Sequence, residues 1–125
     1  LIREGMIQVV QSGTANHLRL DANRKPVEPQ FKFAGKTGTA QVKRITERER
    51  EMGITQDQLP WHLRHHALFV CSGPIDNPRY PCAVIIEHGK AGGATAGPIG
   101  RDVLIEVMKR DPSRRTDGFR KMASR

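Results

Sequence analysis

Two apolar runs of strand length, separated by a short polar segment, constrain the fold of this chain more than any other feature. Residues 66–72 read His-Ala-Leu-Phe-Val-Cys-Ser, and residues 80–88 read Tyr-Pro-Cys-Ala-Val-Ile-Ile-Glu-His. Residues 73–79, between them, contain the glycine, prolines, aspartate and asparagine typical of turns. Both runs are apolar at successive positions, which indicates a sheet covered on both faces. The sequence therefore predicts an antiparallel hairpin on which helices pack.

Two other segments have the apolar spacing of amphipathic helices. In residues 1–12 apolar side chains recur three or four positions apart, and Gly13 follows as a stop. The same spacing runs through residues 98–111, which open on proline, a favoured first helical residue. Residues 89–97 are glycine-rich and predict a flexible turn into that helix.

A further strand is predicted between the first helix and the hairpin. Residues 30–42 alternate and are rich in threonine and aromatic residues, and they follow a loop at 20–29. Residues 44–58 are polar, and Lys43 and Glu47 at i,i+4 favour a short exposed helix or a mobile insertion. The predicted fold is mixed α/β, an antiparallel sheet of three strands covered by helices.

The charge of the chain lies mostly at one end. The formal net charge is +8, which by itself favours nucleic acid or an anionic surface as a partner. Residues 109–125 hold seven Lys/Arg against two Asp, so +5 of that charge is in this segment. We expect a domain at 1–111 and a basic, disordered tail at 112–125. A non-catalytic module that contacts nucleic acid or an anionic membrane through this tail is the alternative.

Neither the cysteines nor the histidines predict a metal site. Cys71 and Cys82 lack the paired spacing of zinc ligands, and their symmetry about the turn leaves free thiols or a disulfide open. His62, His65 and His66 have a spacing that could bind zinc on a helix, but the strand predicted from His66 breaks it. No cofactor is expected. No apolar run reaches the roughly 18 residues of a membrane span, so any anchor is expected outside this chain.

The segment at 34–42, Ala-Gly-Lys-Thr-Gly-Thr-Ala-Gln-Val, carries the candidate chemistry. A phosphate-binding P-loop would need a glycine at position 30 and a helix after the Lys-Thr pair. Position 30 is Gln30, and Gly38 follows the pair, so a P-loop is not favoured. The Lys-Thr-Gly element of β-lactamases and penicillin-binding proteins fits the predicted strand better.

The residue types suit an anion-binding strand. Gly38 has no Cβ to block close approach, and an edge strand can offer backbone N–H groups to an oxyanion. Thr37 and Thr39 share one face about 7 Å apart, where their hydroxyls could hold a carboxylate. Lys36 adds positive charge, although alternation places it on the other face unless its stem bends round the strand edge.

The surroundings of the motif make it specific. Matching segments are Gly5-Met6, Val9-Val10, Gly13-Thr14-Ala15, Ala34 to Val42, His66 to Phe69, Asp76-Asn77-Pro78, Ala83 to Gly89, Gly92-Gly93 and Ala96 to Arg101. Over most of residues 1–111 the chain resembles the C-terminal part of the transpeptidase domain of class B penicillin-binding proteins. The Glu-His-Gly ending at 87–89 and the glycine segment after it look more like the elongation-type members than the division-type ones.

This resemblance implies a peptidoglycan D,D-transpeptidase. In that family a serine attacks the D-Ala-D-Ala end of a stem peptide, a neighbouring stem's amine resolves the acyl-enzyme, and β-lactams acylate the same serine. The implied catalytic residues are Lys36, which shapes the potential and proton network, and Thr39, whose N–H serves the oxyanion. Thr37, Gly38 and Thr39 are the implied substrate-binding residues.

The resemblance also implies a setting. It places the protein at the periplasmic face of a bacterial inner membrane. The expected partners are the rest of the transpeptidase domain, a SEDS-family glycosyltransferase and elongation-complex proteins, and no nucleic acid is expected.

The family's other two motifs are absent from this sequence. None of the four serines has a lysine three residues on, and no Ser-x-Asn occurs. Because nucleophile and base act as a unit, this chain alone is expected to be inactive.

Overall fold

The structure is a computed structural model that describes residues 1–113. It contains three α-helices and three strands, with short 3-10 turns between them. Their bounds are α1 Ile2–Gln11, β1 Ala34–Ala40, α2 Glu47–Glu51, β2 His66–Gly73, β3 Tyr80–Ile86 and α3 Gly97–Arg110. The strands form one antiparallel sheet in the order β1-β2-β3. The predicted mixed α/β fold is confirmed.

One face of the sheet carries the core. Phe69 of β2 is fully buried and lies in one cluster with Val10 of α1 and Leu104 of α3, so both long helices cover the same face. On the opposite face Val70 and Ile85 are 44% and 65% exposed. The expectation that both faces are covered is therefore wrong for residues 1–113, whose two long helices pack on one side.

Two segments differ from the prediction, β1 in its bounds and the glycine segment in its conformation. β1 spans only Ala34–Ala40: Pro29–Phe31 forms a 3-10 turn, so residues 30–33 are not part of the strand, and residues 41–42 lie beyond its end. The glycine segment is not a flexible turn. Gly92–Ala96 forms a π-helical turn that runs without a break into α3.

The polar insertion between β1 and β2 contains the short helix α2. Thr46 and Glu49 form a capping box, in which each side chain binds the other's backbone N–H. Lys43 pairs with Glu49 and not with Glu47, the partner suggested by i,i+4 spacing. The hydrogen bond from Lys43, with those from Thr46, lowers the pKa of Glu49 to about 2.

Two of the histidines considered as zinc ligands bind backbone instead. The Nδ1 atom of His65 accepts a hydrogen bond from the Val42 N–H at 3.3 Å, and that of His66 accepts one from the His88 N–H at 2.9 Å. The His65 carbonyl also accepts from the Lys90 N–H at 2.9 Å. These bonds fasten the chain after β1 to the turn after β3. Within residues 1–113, no group of three or more His, Cys, Asp or Glu side chains could hold a metal ion.

The two cysteines face each other across the hairpin as free thiols. Cys71 and Cys82 are register partners in the β2–β3 pair, and Cys71 is buried. Burial, together with the neighbouring Cys82, raises the pKa of the Cys71 thiol to about 12. Because the thiolate is the reactive form, Cys71 is held in an inert state.

We expect the Cys71 thiol of the folded protein to react with iodoacetamide at pH 8 about a hundredfold or more slowly than the same thiol after denaturation. Peptide mapping by mass spectrometry under non-reducing conditions measures both thiols. Cys82→Ala is the control, because it leaves Cys71 buried. Loss of both labels in the denatured, unreduced protein would show a disulfide and contradict the free pair.

Candidate active-site wall

The Lys-Thr-Gly-Thr segment lies on a strand with an open edge. β1 pairs with β2 in the register Thr37 opposite Phe69 and Thr39 opposite Ala67. In the sheet formed by residues 1–113, no strand pairs with the other edge of β1. Alternate residues of an antiparallel strand direct their N–H and C=O groups away from the paired neighbour, so β1 presents backbone donors at this edge.

Lys36 lies beside the motif backbone. Its side chain is exposed, and its Nζ donates a hydrogen bond to the Thr37 carbonyl at 2.8 Å. The sequence left open whether the lysine stem bends round the strand edge, and the structure places the ammonium at the backbone of the next residue. The ammonium therefore brings its positive charge to the residue that follows it on the strand.

Thr14 lies beside Thr37 itself, and His17 binds Gly93, which lies next to Thr37. The Thr14 Oγ1 atom lies 3.4 Å from the Thr37 Oγ1 atom, and the His17 Nε2 atom lies 3.0 Å from the Gly93 carbonyl oxygen. Since a carbonyl only accepts, His17 donates through Nε2–H in this contact. A Cβ on Gly93 would lie 3.3 Å from the Thr37 methyl carbon, so the glycine segment lies against Thr37.

Sequence reasoning missed these two residues. Thr14 is 23 residues from its partner and His17 is 76 residues from its partner, distances at which local periodicity gives no information. The segment Gly13-Thr14-Ala15 was among the matching segments, but nothing in its residue types indicated that it meets the motif strand.

The backbone of the glycine segment lies directly on the β1–β2 pair. Gly92 is buried, and a Cβ built on it would lie 2.3 Å from the Leu68 carbonyl oxygen and 2.4 Å from the Gly38 carbonyl oxygen. Position 92 therefore requires glycine because two backbone segments approach too closely for a side chain. The glycine segment therefore packs directly against Gly38, in the middle of the motif.

The arrangement is suited to holding an anion. Lys36 supplies an ammonium, Thr37 and Thr39 supply hydroxyls on one face of β1, and the open edge supplies backbone N–H groups. Thr39 is exposed and Thr37 half-buried, so both can be reached from solvent. Charge-assisted hydrogen bonds from such donors hold carboxylates well.

The fold and this wall define a class of protein. Residues 1–105 match the family described as "Penicillin binding protein transpeptidase domain". The chain belongs to the penicillin-binding protein transpeptidase family. The resemblance to class B penicillin-binding proteins is thereby confirmed.

Within that family the chain is similar to elongation-type proteins. It is 42% identical over 97 residues to the peptidoglycan D,D-transpeptidase MrdA of Acinetobacter baumannii, an alignment that covers 76% of this chain and 12% of the relative. The PBP2 of Helicobacter pylori, solved in complex with MreC, matches at a TM-score of 0.62 with 25% identity, over 86% of this chain and 16% of that one.

A second solved structure agrees. The PBP2 of Pseudomonas aeruginosa, in complex with WCK 5153, matches at a TM-score of 0.54 with 29% identity, over 86% of this chain and 18% of that one. The chain thus spans less than a fifth of the length of these three relatives. Across residues 1–113, no helix is long and apolar enough to cross a membrane.

Proposed function

We propose that this chain supplies the Lys-Thr-Gly-Thr wall of the active site of a peptidoglycan D,D-transpeptidase of the elongation type. The observation that carries the proposal is the position of Lys36, Thr37, Gly38 and Thr39 on a strand whose edge is open in residues 1–113. The family match over residues 1–105 supplies the reaction class.

In this proposal each residue of the wall has a separate task. Thr37 and Thr39 donate hydrogen bonds to the terminal carboxylate of a D-Ala-D-Ala stem peptide. The N–H of Thr39 stabilises the oxyanion that forms when the serine attacks, and Gly38 lets the peptide backbone approach the strand. Lys36 raises the positive potential beside both groups and takes part in the proton network.

A serine and its lysine, carried by sequence outside this chain, complete the site. Residues 1–111 form the C-terminal portion of the transpeptidase domain in this proposal, and residues 112–125 form a basic tail, of which 114–125 lie outside the described residues. Ser113 itself is held by Tyr80, whose hydroxyl accepts from the Ser113 N–H at 2.9 Å.

The same proposal covers partners and location. The substrates are stem peptides ending in D-Ala-D-Ala, and β-lactams react at the same site. The PBP2 of H. pylori was solved with MreC, which supports elongation-complex proteins as partners, and a SEDS-family glycosyltransferase is a further expected partner. The complete protein is proposed to work at the periplasmic face of the inner membrane.

We expect a fluorescent penicillin to label the complete protein covalently and to leave this 125-residue chain unlabelled. The chain has no Ser-x-x-Lys nucleophile, and one wall of a site gives no turnover without it. Denaturing gel electrophoresis after labelling measures the adduct. A complete protein that takes no label would refute the proposed reaction, and a stable adduct on the isolated chain would place the nucleophile within it.

A further inference from the structure

A hydroxyl from outside the motif strand lies beside Thr37. Thr14 follows α1 in the chain, is exposed, and has its Oγ1 atom 3.4 Å from the Thr37 Oγ1 atom. This separation is longer than the roughly 2.5–3.0 Å of an ordinary hydroxyl hydrogen bond. Hydrogen bonds at sites without substrate are commonly long and tighten when the ligand binds. The pair is therefore placed to form a short bond once an anion reaches Thr37.

The direction of that bond matters for a carboxylate ligand. Each threonine hydroxyl carries one proton and can also accept, whereas an ionised carboxylate only accepts. If Thr37 gave its proton to Thr14, it would have none left for the ligand. If Thr14 donates to the Thr37 oxygen, the Thr37 proton is free for the carboxylate. The two hydrogen bonds then run in series, and each polarises the next.

Thr37 is held in the orientation that these two hydrogen bonds require. Its methyl group lies near Gly93, where a Cβ would come within 3.3 Å, and its hydroxyl lies on the side of Thr14. His17 fixes Gly93 through the 3.0 Å contact with its carbonyl oxygen. A β-branched side chain has few rotamers, so contacts on both branches restrict it further.

We propose that Thr14 is a positioning residue for substrate carboxylate recognition. It donates its proton to the Thr37 oxygen and so directs the Thr37 O–H at the carboxylate, without touching the ligand itself. This inference rests on the proposed function, because Thr37 must be the group that meets the carboxylate.

The test compares two ligands in the complete protein, a penicillin and the methyl ester of its carboxylate. Thr14→Val removes the hydroxyl and keeps the shape, and Thr14→Ser keeps the hydroxyl. With the free acid, Thr14→Val is expected to lower the second-order acylation constant about three- to tenfold, the effect of one lost hydrogen bond. The loss appears in the concentration for half-maximal rate and not in the maximal rate. Thr14→Ser stays near the wild type, and the ester shows no difference.

A double variant separates positioning from packing. Thr14→Val should add little to Thr37→Val, because the first acts through the second. Three outcomes would overturn the role of Thr14 and leave the proposed function intact. Thr14→Val could lower the acylation constant equally for acid and ester, or its loss could add fully to that of Thr37→Val. Thr14→Val could also have no effect while Thr37→Val lowers the constant for the acid only. If Thr37→Val fails to distinguish acid from ester, the carboxylate site of the proposed function fails, and the inference fails with it.

Discussion

Lys36→Ala and Thr39→Val are each expected to lower the β-lactam acylation rate of the complete protein by at least about tenfold, with the fold retained. Lys36→Ala removes the ammonium that lies 2.8 Å from the Thr37 carbonyl oxygen, and with it the positive charge that the proposed function assigns to the site. Thr39→Val removes one of the two hydroxyls proposed to hold the carboxylate. Both side chains are exposed, so neither change leaves a cavity in the core.

Matched variants separate these roles from general effects on charge and packing. Lys32→Ala removes an exposed positive charge four residues before the motif and should leave the rate unchanged. Thr39→Ser keeps the hydroxyl and should retain most of the rate. Stopped-flow measurement with a chromogenic β-lactam gives the acylation constants. Rates equal to the wild type for Lys36→Ala and Thr39→Val would remove these residues from the site.

The parts of the fold that sequence predicted are those with a strong local period. α1 and α3 were readable because their apolar residues recur at helical intervals, and the hairpin because two apolar runs flank turn residues. Alternation also placed Thr37 and Thr39 on one face of β1, which agrees with their pairing opposite Phe69 and Ala67.

The parts that sequence could not predict depend on contacts between distant segments. The approach of Thr14 to Thr37 joins the end of α1 to β1, and no local pattern encodes it. The glycines of the segment before α3 signalled flexibility, whereas Gly92 is glycine because of what lies against it. We inferred from the apolar residues of the two hairpin strands that the second face of the sheet is covered. Apolar content indicates that a face must be buried, but it does not indicate which part of the protein buries it.

The close approach at Gly92 gives the largest stability effect expected here. Gly92→Ala places a Cβ 2.3 Å from the Leu68 carbonyl oxygen and 2.4 Å from the Gly38 carbonyl oxygen, far inside contact distance. Both atoms are backbone in a paired sheet, so no side chain can rotate away to relieve the clash. Overpacking typically costs about 1–3 kcal/mol, and we expect at least about 3 kcal/mol of unfolding free energy to be lost because backbone must move.

Gly5→Ala is the matched control, since a Cβ at Gly5 in α1 meets nothing within 4 Å. That substitution should raise stability by about 0.5–1 kcal/mol, because alanine suits a helix interior better than glycine. Urea denaturation followed by circular dichroism compares the two variants with the wild type. The carbonyl of Gly38 belongs to the Lys-Thr-Gly-Thr motif, so the displacement that relieves the clash in Gly92→Ala must also shift the proposed carboxylate site. The β-lactam acylation rate of the complete protein should therefore fall in Gly92→Ala even under conditions where the protein remains folded. An unchanged urea midpoint together with an unchanged acylation rate would mean that the glycine segment does not pack on β1.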